Sequence, residues 1–380
     1  MERRDFLKSL GLASLAVGMP LPGLASTNAG RLLVLVELKG GNDGLNTVIP
    51  FNDPLYTSLR PRLAIKRDEV IQLDPQSGLH PALLPLMPMW KAGELAVIQA
   101  VGYPQANLSH FRSIEIWDTA SAANEYLQQG WLAGVFAQRP LPPNYLADGV
   151  LIGSSDLGPL AGTRAIALKD AEQFRRQAQM AHPAVESGNQ ALRHLLRVEN
   201  DVAAAGRRLD TSFAFKTNFP AGAFGDAVRT GCAVLASGNV GVLRLTLGGF
   251  DTHQHQSGTH ANLLRQLAEG LLALRGALVE LGRWDDTLIM TYSEFGRRPK
   301  ENQSGGTDHG TAAAHFVLGG RVRGGIFGAP PALDRLDGNG NLPFDIDFRR
   351  LYATLSQRWW GLSPSAEAGS RIRPLEILRS

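Results

Sequence analysis

The segment GGFDTHQHQSGTH, residues 248–260, holds three of the chain's nine histidines behind Asp251, directly after the apolar run VGVLRLTL. A carboxylate beside imidazoles where a strand should end is a donor mixture that suits zinc, manganese or iron-type ions. Three other segments bring similar groups. GGNDG, with Asp43, follows RLLVLVEL. NLSH, with Ser109 and His110, opens a helical stretch. SEFG, with Glu294, follows DTLIMTY, and Asp308-His309 comes soon after. Each has a plain alternative. Asp43, Asp308 and His309 can shape turns, and Ser109 can cap a helix. His253 and His255 can face solvent on a loop. Glu294 can pair with Arg297 or Arg298, and His260 reads as the surface start of the next helix.

The elements that must position these groups follow from hydrophobic period. RLLVLVEL, ELAVIQAV, VGVLRLTL and DTLIMTYS are apolar runs of strand length, as buried parallel strands require. Residues 149–154 and 164–168 read as further short strands, and HFVLGG as another. HPALLPLMPMWKAG, FRSIEIWDTA and LYATLSQRWWGL read as helices. The clearest helix carries Leu264, Leu267, Leu271, Leu274, Leu278 and Leu281 at steps of three and four, one apolar stripe. EFGRRPKENQSGGTDHG reads as a loop. Strands alternating with helices predict an α/β fold, a mostly parallel central sheet with helices on both faces. Ligands gather at the carboxyl ends of strands in such sheets. One domain is expected over 26–380, with a helical insertion around 170–225 that interrupts the alternation.

Composition narrows the function. With 380 residues and 44% hydrophobic content, the chain can bury a large core. A net charge of +3 gives no basic stripe for nucleic acid. GGNDG lacks the context of a nucleotide-binding loop. The N-terminus, MERRDFLKSLGLASLAVGMPLPGLAS, places Arg3 and Arg4 before Phe6-Leu7-Lys8 and a mild apolar run. It resembles a twin-arginine export signal, removed near Ala25. The expected partner is therefore the twin-arginine translocase, and the destination periplasmic or secreted. The apolar run is too short to span a membrane. Cys232 is the one cysteine, which excludes an internal disulfide. Its apolar surroundings predict a buried thiol.

GGNDGLNTVIP, SHF, GGFDTH, SEFGR and GGTDHG occur in this order. The set resembles an exported bacterial family known as domain of unknown function 1501, from about Leu32 to Gly328. That family is similar to the alkaline phosphatase and sulfatase superfamily, whose members bind one or two metals at strand ends. The resemblance implies an alkaline-phosphatase-like domain with Asp43, Asp251, Glu294 and His309 as metal ligands. It adds either His253, favoured by the family's Asp-Thr-His, or His255, favoured by the superfamily's Asp-x-x-x-His. Ser109 falls at the nucleophile's position. Phe295 stands where the superfamily has His or Asn and cannot ligate. One tight ion, and a weak second one that Asp308 or water completes, is the expectation. Zinc, manganese, magnesium and calcium are the candidates.

The implied activity is hydrolysis of an anionic phosphate ester, with sulfate less favoured because Ser109-His110-Phe111-Arg112 lacks the sulfatase proline spacing. In that reading Ser109 attacks, Arg112 clamps the anion, and His110 or His309 protonates the leaving oxygen. The alternative is a non-catalytic exported binding module that kept the fold and one metal. Phe295 favours it, and metal content discriminates the two.

Overall fold

The structure is a computed structural model that describes residues 30–168, 213–363 and 372–379. The export segment, and the expected insertion through residue 212, lie outside the described residues.

The central strands in chain order are β1 (Leu32–Lys39), β2 (Leu95–Gly102), β3 (Ala147–Ile152), β4 (Ala165–Leu168), β5 (Val240–Gly248) and β6 (Thr287–Tyr292). A hairpin, β7 (Gly296–Glu301) with β8 (Thr307–Gly310), stands outside the sheet. Then come β9 (Ala313–Leu318), β10 (Gly325–Phe327) and the two-residue β11 (Ile346–Asp347). The sheet order is β10-β2-β9-β6-β1-β5-β3-β4, with β11 also paired to β2. β1 is parallel to both β5 and β6, and β3 to β4 and β5. β9 alone runs antiparallel, against β2 and β6. The mostly parallel sheet expected from the sequence is observed.

The alternation of β1 separates two cores, because successive side chains of a strand point to opposite faces. Leu32, Val34, Val36 and Leu38 pack with the helices Ala223–Ser237 and Gln256–Glu280. Leu33 and Leu35 join the core under the helices His110–Thr119 and Trp131–Gln138. We call the helices used below α1 (Gly44–Thr47), α2 (His110–Thr119), α3 (Ala223–Ser237) and α4 (Gln256–Glu280). Helices thus cover both faces. Leu264, Leu267, Leu271, Leu274 and Leu278 are all buried, as their stripe predicts. Cys232, on α3, is buried too, and burial pushes its thiol up.

Two expectations change. EFGRRPKENQSGGTDHG is not all loop, since it forms the β7–β8 hairpin. His260 is not at the surface. It is buried on α4, and its Nε2 lies 2.9 Å from Asn42 Oδ1. Its place four residues before Leu264 puts it on the apolar stripe, and the loop after β1 supplies its polar partner.

Candidate metal centre

Three adjacent parallel strands, β6, β1 and β5, end side by side. Their next residues are Ser293-Glu294, Gly40-Gly41 and Gly249-Phe250-Asp251. The turn after β1 has to run very close to its neighbours. At Gly40, φ is +120°, and a Cβ would sit 2.4 Å from the Asp251 nitrogen. At Gly41, φ is +80°, and a Cβ would strike the Phe295 ring at 2.4 Å. Only glycine tolerates both constraints.

Four side chains meet there. Asp251 Oδ1 lies 3.0 Å from His253 Nε2 and 3.2 Å from His309 Nε2. Asp251 Oδ2 lies 3.4 Å from His110 Nε2. The His253 and His309 Nε2 atoms are 2.9 Å apart. His110, Asp251 and His309 each offer a ligand atom within 4.8 Å of the others. Donors around tetrahedral zinc, with bonds near 2.0–2.1 Å, lie about 3.3 Å apart. The three contacts to Asp251 and the His253–His309 contact are close to that spacing.

Two of the opposite ring nitrogens are held as well, and the third faces a carboxylate. His110 Nδ1 donates to Glu294 Oε1 at 2.8 Å. His309 Nδ1 donates to the Leu108 carbonyl at 2.8 Å, since a carbonyl only accepts. His253 Nδ1 faces Asp308 Oδ1 at 3.6 Å. A proton on Nδ1 leaves a lone pair on Nε2 of the neutral ring. For His110 and His309 that lone pair faces the Asp251 carboxylate, and the His309 Nε2 also faces His253 Nε2, an arrangement that a cation between them would satisfy. Burial, the largest influence on His309, lowers its pKa and disfavours a proton in that role. Burial works to raise the Asp251 carboxyl. The hydrogen bond and charge of Arg297 outweigh it and hold Asp251 well below the usual carboxylate range. Asp251 is ionised at neutral pH. The residues present fit a divalent ion.

Glu294 stands behind His110. Its two oxygens accept from the Gly40 N–H at 2.9 and 3.0 Å. Its carbonyl accepts from Ser113 Oγ of α2, and Ser113 Oγ lies 2.6 Å from Tyr103 Oη. Phe295 is buried, with ring centroids 4.4 Å from His309 and 4.9 Å from His110. It walls both imidazoles.

The remaining expected residues lie elsewhere. Asp43 is fully buried and caps α1 through Leu45 N at 3.2 Å. Its Oδ2 is 2.6 Å from Arg60 Nη1, its Oδ1 3.0 Å from Arg60 Nη2, and Gln256 Nε2 also donates to it. Those partners, and not the histidine cluster, surround the Asp43 carboxylate. His255 is exposed, at φ 48°, just before α4. It is outside the cluster that His253 enters. Arg112 is turned to the 122–126 segment. It pairs with Glu115 at 2.8 Å, donates to the Ala123 carbonyl at 3.1 Å and covers the Tyr126 ring at 3.8 Å. Its guanidinium is thus engaged away from the histidines. Ser109 is exposed at the N-cap of α2 and makes no side-chain cap bond. Glu294 pairs with His110 and with neither Arg297 nor Arg298.

Arg297 was not singled out as a site residue in the sequence. It is fully buried, 2.6 Å from Asp251 Oδ1, and it donates to the carbonyls of Gly40, Gly41, Phe250 and Thr307. Arg60 and Gln256 give no sequence signal of their own either. One is a cation in a basic stretch, RPRLAIKR, and the other a neutral amide beside histidines.

Fold and site together define an α/β protein with a carboxylate–imidazole cluster at the carboxyl ends of its central strands. The chain belongs to the family described as protein of unknown function, DUF1501, which matches residues 76–373. No curated protein matches it. Several solved structures are similar in the course of the chain. One is Ps i-CgsB in complex with k-i-k-neocarrahexaose, at 12% identity and TM-score 0.44, covering 89% of this chain and 73% of that one. Another is the C-terminal periplasmic domain of EptC from Escherichia coli in complex with Zn, at 12% identity and TM-score 0.37, covering 78% and 74%. A third is a protein in the alkaline phosphatase superfamily from Vibrio parahaemolyticus, at 9% identity and TM-score 0.34, covering 79% and 62%. No helix among the described residues is long and apolar enough to cross a membrane.

Proposed function

We propose that the protein is an exported, divalent-metal-dependent hydrolase of phosphate esters, with sulfate esters the second choice. One observation carries the reading: three imidazoles present Nε2 to the Asp251 carboxylate while oxygen acceptors face their Nδ1 atoms. Asp251, His110, His253 and His309 would hold the ion. Nitrogen-rich donors favour zinc or an iron-type ion over magnesium, calcium or manganese, which prefer oxygen. A bound ion of this kind supplies Lewis acidity and an activated oxygen nucleophile.

The chain's own groups then have definite tasks. Glu294 keeps the proton on His110 Nδ1, which frees Nε2. Arg297 holds the Asp251 carboxylate in place. α2 begins at His110 with its first N–H groups uncapped by Ser109, so its N-terminus can receive an anionic ester. Ser109, exposed there, is our candidate nucleophile. Arg112 is engaged elsewhere, so we assign anion binding to the helix terminus. Export through the twin-arginine translocase, read from Arg3 and Arg4, places this activity in the periplasm or outside the cell.

The test is metal analysis of the purified chain, followed by assays on chromogenic phosphate and sulfate esters before and after chelation. We expect one tightly held ion, hydrolysis lost on chelation, and recovery on adding the ion back. A folded chain that takes up no ion would sink the reading. An ion without turnover would favour a binding module.

A further inference from the structure

We propose that Gln256 is a positioning residue that sets the spacing between the Asp251–His253 pair and His309. The proposal rests on the ion-binding reading above. Gln256 is the first residue of α4 and is fully buried. Its side chain joins three separate segments. Nε2 donates to Asp43 Oδ2 in the turn after β1. Oε1 accepts from Thr252 Oγ1 at 3.1 Å, between Asp251 and His253. The same oxygen accepts from Thr307 Oγ1 at 2.6 Å, two residues before His309.

The polarity of this junction is fixed. An ionised carboxylate only accepts, so the amide nitrogen must face Asp43 and the amide oxygen must face the two hydroxyls. Both acceptor sites of that oxygen are filled. Asp43 is itself locked by Arg60, whose Nε and Nη2 donate to the carbonyls of Pro299 at 2.7 Å and Arg298 at 3.1 Å, on β7. The Thr307 N–H also donates to the Thr252 carbonyl at 3.2 Å. The hairpin that carries His309 is tied to the loop that carries His253 by backbone bonds and by the Asn302 side chain, and the buried Gln256 amide, mounted on a 25-residue helix, is the one side chain that joins both to the turn after β1. Gln256 itself has no atom among the converging donors. Its effect on the ion passes through Thr252 and Thr307.

The experiment uses the full chain, stripped by a chelator and reloaded with Co²⁺ alone. Three quantities are read: Co²⁺ affinity by chelator competition, the visible absorption band that reports coordination geometry, and the melting temperature of the stripped protein. Thr307→Val removes one hydroxyl donor, Thr307→Ser restores it, and Gln256→Glu replaces the amide donor facing Asp43 with an acceptor. Thr307→Val should weaken Co²⁺ binding about tenfold or more, the scale on which supports behind metal ligands act. It should alter the visible band while the stripped protein melts within a few degrees of the parent. Thr307→Ser should return both readings, and Gln256→Glu should exceed Thr307→Val. If Gln256→Glu fails to fold, the Thr307 pair decides alone. A parental band and affinity in Thr307→Val overturns the proposal, whatever the melting temperature does. A parent that takes up no Co²⁺ overturns the ion-binding reading itself, and this inference with it.

Discussion

His110 is shared between two carboxylates: its Nδ1 meets Glu294 at 2.8 Å and its Nε2 meets Asp251 at 3.4 Å. Glu294 is buried, and Asp251 is about half exposed. The buried one orients the ring and the open one shares the ion. Glu294→Gln keeps the shape and removes the charge that holds the Nδ1 proton. We expect ion affinity to fall about 10- to 100-fold, with the fold retained by circular dichroism. Chelator competition measures it, and an unchanged affinity would remove Glu294 from the design.

The two histidines of the Asp-Thr-His-Gln-His run should separate cleanly. His253→Ala deletes a converging Nε2 and should abolish tight ion binding. His255→Ala deletes an exposed ring and should leave the ion in place. Equal losses in metal content from both variants would show that His255 also enters the site.

Much of this architecture was legible. The apolar runs of β1, β2, β5 and β6 are long and β-branched, and the leucine stripe of α4 is unambiguous in period. The placement of His110, Asp251 and His309 near strand and helix ends was also readable, because the polar groups directly follow or precede those runs. What was not legible depends on contacts far apart in sequence. GRRPKE and TDHG carry no apolar alternation, and the contacts of Arg297, across the hairpin to the Thr307 carbonyl and outward to the Gly41 carbonyl, are made with residues no local pattern links to it. Asp43 looks like a ligand until Arg60, 17 residues on, is seen to hold it. No local pattern announces that pair.

Export offers a separate test. Replacing Arg3 and Arg4 together with lysine should leave precursor in the cytoplasm, scored by cell fractionation and immunoblot. Normal amounts of mature protein outside the cytoplasm would reject the twin-arginine reading.

His315 gives a prediction in pH. It is buried on β9, and neither ring nitrogen has a hydrogen-bond partner. Burial lowers its pKa to about 3, against about 6.5 in an unfolded chain. The folded state keeps the ring neutral while the unfolded state takes a proton. Stability is therefore complete above about pH 6.5 and falls as pH drops toward 3, by at most about 1.4 kcal/mol per unit. His260, held at about 4 also chiefly by burial, adds a similar loss over a narrower range. His315→Leu should unfold at higher denaturant than the parent at pH 5, with the gap shrinking at pH 7. Parallel stability curves from pH 7 to 4.5 would show that His315 does not titrate in this way.

The Asp43–Arg60 pair supplies the last test, because it decides what Asp43 is for. Both side chains are fully buried, and the carboxylate is bound bidentately. Burial works to raise the Asp43 carboxyl, and the Arg60 charge and hydrogen bond overcome it, so it stays ionised. Removing one partner strands a charge in a dry site, at a cost of about 3–5 kcal/mol. Arg60→Met should show that loss in denaturant unfolding. Asp43→Asn combined with Arg60→Met removes both charges at once and should be clearly less destabilised than the sum of the single changes. Some loss must remain, since Arg60 also supports Pro299 and Arg298. The double variant should still hold one ion per chain, because Asp251, His110, His253 and His309 are intact. If Asp43 is instead a ligand, Asp43→Asn will lower the ion count or affinity as strongly as His253→Ala does. Metal content and unfolding free energy on the same four proteins separate the two roles.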